Sequence, residues 1–162
     1  MTAMSPIRED FAGQRQLRFR VDDEPLHLFK NRGESTHQVY LKALVYALYR
    51  ERYDLVFDPD IGGKYQPHVA SLDFTGGVTF WAHCGEIHID QLAHVLKHSH
   101  AEEVLVAKEA VDVPGYVTYI KRHVHYRYLN GKLRIVSFQP LDDWFNPEHV
   151  TVTSEDYEIH TF

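Results

Sequence analysis

The chain has 162 residues, the length of one domain, with 44% hydrophobic and 25% charged residues and a formal charge of −6 when its twelve histidines are neutral. That negative balance disfavours broad nucleic-acid binding, which draws its affinity from Lys and Arg neutralising phosphates. No stretch approaches the ~20 apolar residues of a membrane span, the start lacks the apolar core of a secretion signal, and the single cysteine, Cys84, excludes an intramolecular disulfide, so the expectation is a cytoplasmic protein with no membrane partner.

Residues 1–14, with Pro6 and Gly13 and no periodicity, read as a flexible leader, and 15–162 as a single domain. Gln16–Val21 alternates polar and apolar as a half-buried strand should, Asp22-Asp23-Glu24-Pro25 breaks it, and a second short strand follows through Leu26–Phe29. The strongest helix runs from about Ser35 to Glu51 on an apolar stripe of Val39, Leu41, Ala43, Leu44, Ala47 and Leu48. Glu34 stands at its first turn, where the positive end of the helix dipole favours a carboxylate. It can serve there as a helix-end charge or point into a site, and His37 shares its side of the helix.

A strand at Tyr53–Phe57 and a loop at Asp58–Gly63 precede two β-rich segments, Gln66–Leu72 and Phe80–Gly85, joined by Thr75-Gly76-Gly77. They read as a hairpin. Opposed residues of an antiparallel pair keep a constant index sum, so a turn centred between Thr75 and Gly76 sets His68 opposite His83, with Cβ atoms roughly 5 Å apart on one face. Two such imidazoles can share a metal ion or a polar ligand. Alternatively, each caps a strand end by hydrogen bonding to backbone. Cys84 beside them is a soft ligand or a small buried hydrophobe.

A helix over about Asp90–Ser99 and a strand at Glu102–Ala107 come next, the strand running parallel to the second hairpin strand through a crossover. A third helix is expected over Val113–Tyr128, a strand over Lys132–Phe138, and a surface strap in the acidic tail with Trp144 and Phe145. His94 and His98 stand four apart on a helix, a spacing able to chelate metal, although interaction with the helix dipole is the simpler account for histidines at a C-terminal end. The Tyr116, Tyr119, Tyr126 and Tyr128 group reads as packing rather than as a base-stacking platform.

A helix opened by Glu, a hairpin, then helix and strand, with Gly33-Glu34-Ser35-Thr36-His37, Gln66-Pro67-His68 and Trp81-Ala82-His83-Cys84-Gly85 at the critical places, resembles the PD-(D/E)XK nuclease superfamily and, within it, the small bacterial YaeQ-type proteins. The resemblance covers roughly residues 16–138. It implies an α/β fold (α+β, mixed sheet) with a restriction-endonuclease-like core. By it, Glu34 corresponds to the helix carboxylate, His68 replaces the Pro-Asp aspartate, His83 replaces the strand glutamate, and Gly85 takes the usual lysine place; Gln91 stands where a lysine from the following helix could substitute.

Two imidazoles suit a divalent transition metal (Zn, Fe, Ni or Cu) better than Mg²⁺, which demands hard oxygen ligands. Three functions follow as expectations. One is a transition-metal-binding relic of the fold with His68, His83 and Glu34 as ligands and His37 or His88 as a further one. Another is a non-catalytic protein-interaction or regulatory domain. The third is a phosphodiesterase working with a transition metal.

Overall fold

The computed structural model describes residues 15–162, so the expected leader lies outside the described residues. Strands β1 (Arg15–Val21) and β2 (Glu24–Lys30) form a separate antiparallel hairpin. Its turn is Asp22-Asp23, both at positive φ (47° and 67°), the mirror-image geometry that matches the twist of the strands it joins. Helix α1 (Thr36–Tyr49) follows. Ser35 caps it by accepting from the Gln38 N–H, while the Gln38 side chain accepts from the Ser35 N–H.

The main sheet has six strands in chain order: β3 (Val56–Phe57), β4 (Val69–Leu72), β5 (Val78–Cys84), β6 (Glu103–Glu109), β7 (Leu133–Phe138) and β8 (Tyr157–Thr161). The β5–β6 and β6–β7 pairs are parallel and the others antiparallel. Helices α2 (Ile89–His98) and α3 (Val113–His123) supply the two parallel crossovers. The expectation of a parallel strand after the hairpin is met.

Alternation along β5 divides the interior. Phe80, Ala82 and Cys84 pack with α1 and the β1–β2 hairpin, whereas Trp81 packs with Leu92, Val95 and Leu96 of α2 and Ile120 of α3. Covered on both faces, β6 is buried from Glu103 to Lys108.

Two expectations are corrected. The third helix stops at His123, with Val124 already extended, and only a short 3₁₀ turn occupies Tyr126–Tyr128. The tail is more than a strap, because Tyr157–Thr161 adds an antiparallel edge to β7 and Trp144 and Phe145 pack against the α1-side core. Its ladder partner lies far back in the chain, and no local periodicity marks that pairing. Among the described residues no helix is long and apolar enough to cross a membrane.

Candidate functional site

The His68–His83 pairing is present, by a route the sequence conceals. The β4–β5 loop is closed by the Asp73 N–H to the Gly77 carbonyl, which centres it on Thr75. Carried straight back, that register would set His68 against Ala82. A shift between the Leu72–Val78 and Ser71–Phe80 pairs inserts one residue, giving the Ala70–Trp81 and Val69–Ala82 pairs, and the His68 and His83 rings come to lie 4.4 Å apart. Asp73, deep in the turn, is occupied with Thr75 and Gly77.

Both rings bond to backbone, as the strand-capping alternative expects. His68 Nδ1 accepts from the Cys84 N–H at 2.8 Å, so the proton of the neutral ring is on Nε2. His83 Nε2 donates to the Glu86 carbonyl at 2.6 Å, leaving Nδ1 as a buried lone pair without a hydrogen-bond partner. Burial holds both imidazoles well below their ordinary range, to about 4. The positive charge of Lys42 adds to the effect at His68, and repulsion between the rings adds to it at His83. At neutral pH the pair is therefore uncharged.

Glu34 belongs to a different cluster. Its Oε2 lies 2.6 Å from Lys42 Nζ, out of line for a hydrogen bond but in ion contact, and its Oε1 accepts from the Asn31 N–H at 2.7 Å. Lys42 Nζ also donates to both oxygens of Asp58, at 3.0 and 2.8 Å. Lys42 is fully buried, at 0% exposure, because two turns of α1 carry it from the Glu34 end into the apolar stripe. The Asp58 backbone N–H bonds the His68 carbonyl, and its φ of +49° breaks the strand alternation just after Phe57, turning the carboxylate towards α1.

Sheet geometry sets His83 apart from the Lys42 cluster, while His68 lies near enough to feel the Lys42 and Asp58 charges. Cys84 faces α1 and feels the charges of Lys42, Asp58 and Glu34, whereas His83 follows Trp81, whose ring it parallels at 6.2 Å, on the opposite face. Glu34 therefore does not join the imidazole pair. His37 and His88 do not join it either. His37 contacts Glu109 at 2.7 Å and Asp142 at 3.1 Å; burial lowers its pKa, but these two carboxylates outweigh that and raise it. His88 is the exposed N-cap of α2, accepting from the Asp90 N–H. Among the described residues no three of the His, Cys, Asp and Glu side chains are grouped so that they could hold a metal ion.

Lys42 and Asp58 are the residues that sequence reading passes over. A lysine inside an otherwise apolar helical stripe was the available signal for the first; Asp58 had none, since its role rests on a left-handed backbone. Gly85, at the position compared with a nuclease lysine, has φ +97°, and a Cβ there would stand 3.1 Å from Gln38 Cγ, so a side chain is disfavoured for both reasons. Beside it a cleft of about 380 Å³, at the C-terminal ends of β5 and β6, is lined by Ser35, His37, Gln38, Glu86, Lys108 and Glu109. Its charges are internally paired, Lys108 with Glu86 at 2.9 Å and His37 with Glu109.

No family model matches the chain, and no curated protein matches it by sequence. Its fold is similar to the crystal structure of the YaeQ protein from Xanthomonas axonopodis pv. citri, with a TM-score of 0.60 and 15% identity over 93% of this chain and 91% of that one. It is also similar to the YaeQ protein from Pseudomonas syringae, with a TM-score of 0.56 and 12% identity over 90% and 87% of the two chains. Identity this low establishes the shared fold.

Proposed function

We propose that this protein is a non-catalytic binding or regulatory domain built on a nuclease-like fold. The order of α1, the β4–β5 hairpin, α2 and β6 supports a PD-(D/E)XK relationship, under which Glu34, His68 and His83 would correspond to that superfamily's acidic groups. The observation that carries the reading is the Lys42 ammonium, which contacts Glu34 and Asp58 together. It supplies internally the positive charge that a divalent cation would bring between two carboxylates.

The donor set does not fit a metal ion. A metal-bound imidazole ordinarily donates its second nitrogen to an acceptor. His68 does the reverse, accepting a backbone N–H at Nδ1, so its Nε2 carries the proton that a metal would have to displace. His83 offers one free nitrogen, and the carboxylate expected to join it lies across the sheet beside Lys42. A fully buried Lys42 cannot meet a substrate, and Gly85 leaves no lysine at the strand end.

The test is cleavage of plasmid and oligonucleotide by untagged protein in Mg²⁺ or Mn²⁺, with Zn²⁺ run in parallel. No cleavage above a metal-free control is expected. Cleavage that disappears in both Glu34→Gln and His83→Ala variants would overturn the proposal.

A further inference from the structure

A cleft of about 540 Å³ lies between the 61–65 loop, the β4–β5 turn and one face of α2. His94 and His98 of α2 both line it. Four residues apart on a helix, they project from the same side, and their rings stand 4.4 Å apart. The Tyr65 ring meets His94 edge-on at 5.2 Å and restrains it from the loop side. Neither imidazole makes a hydrogen bond among the described residues, so each neutral ring keeps its lone-pair nitrogen free, whereas His68 Nδ1 is committed to the Cys84 N–H and His83 Nε2 to the Glu86 carbonyl.

We propose that His94 and His98 form a two-imidazole chelating site for a divalent transition-metal ion, with the remaining coordination positions open to the cleft. The i, i+4 spacing is the geometry by which two histidines of one helix grip a single ion. Because the rings already stand together, binding orders little that is not ordered beforehand. Asp73 and Glu102 line the same cleft. Imidazole donors favour Cu²⁺, Ni²⁺ and Zn²⁺ over Mg²⁺ and Ca²⁺, and Cu²⁺ should bind tightest of the divalent series.

The experiment is titration of the full chain with Cu²⁺ alone, followed by electron paramagnetic resonance, with Zn²⁺ as competitor. One ion per chain with nitrogen coupling from two imidazoles is expected. Affinity should fall about tenfold or more in the His94→Ala/His98→Ala variant. A variant with Asp90→His and His94→Asp keeps the histidine count but sets its two rings, at 90 and 98, two turns or about 12 Å apart along the helix, and it should lose the two-nitrogen signal. A His68→Gln/His83→Gln variant should bind as the parent does. Unchanged binding in the His94/His98 variant, or a two-nitrogen signal that survives the Asp90/His94 exchange, overturns the proposal. Loss of the signal only in the His68/His83 variant would overturn it too, and would separately count against the non-metallic reading of that pair.

Discussion

Replacing Lys42 by methionine keeps the length of the side chain and removes its charge. The parent side chain is 1% exposed, Glu34 is 10% exposed and Asp58 33%. Breaking a buried ion pair on one side typically costs about 3–5 kcal/mol, because the partner charge stays behind uncompensated. Here two carboxylates are left, but the partial exposure of Asp58 lets water screen one of them, so the expected loss is near the lower end, about 3 kcal/mol. In a domain of this size that corresponds to a fall in Tm of about 6–12 °C. Urea unfolding at pH 7 provides the measurement. The triple variant with Lys42→Met, Glu34→Gln and Asp58→Asn should recover most of the loss, since no charge then remains unpaired. A single variant within about 1 kcal/mol of the parent, or a triple variant no more stable than the single, would refute the assignment of Lys42 as the internal counter-ion.

The neutral imidazole pair predicts acid sensitivity. With folded pKa values near 4 against 6.5 when unfolded, the unfolded chain binds more protons across that interval, so stability is constant above about pH 6.5 and falls as pH drops towards 4, by at most about 3 kcal/mol per ring. Proton NMR titration of His68 and His83 checks it, and ordinary values near 6.5 for both would count against the buried pair. Cys84 is wholly buried and its thiol is pushed far above the ordinary range by burial, so it should resist a disulfide reagent such as DTNB until the protein unfolds; reaction at the rate of an exposed thiol would contradict the packing. Gly85→Ala should cost about 1–3 kcal/mol from its φ of +97° and the close approach of Gln38, and a neutral result in thermal melts would show that the backbone there relaxes freely.

Period and punctuation in the sequence are enough to place α1, α2, β6 and β7, because each spans several turns or alternations and is bounded by local breakers such as Gly33, Ser99 and Asn130-Gly131. The opposition of His68 and His83 was legible for the same reason, although a one-residue error in the register set by the turn was cancelled by a bulge that no local residue signals. Where α1 lies was not legible. The apolar stripe of a helix fixes which side it buries and is silent about which sheet face receives it; packing of α1 on the Cys84 face is what parts Glu34 from the imidazoles. The same packing draws Lys42 to Asp58 across sixteen residues, and long-range pairing brings β8 beside β7. These contacts join positions that share no local pattern, so only burial and the closure of the chain on itself decide them.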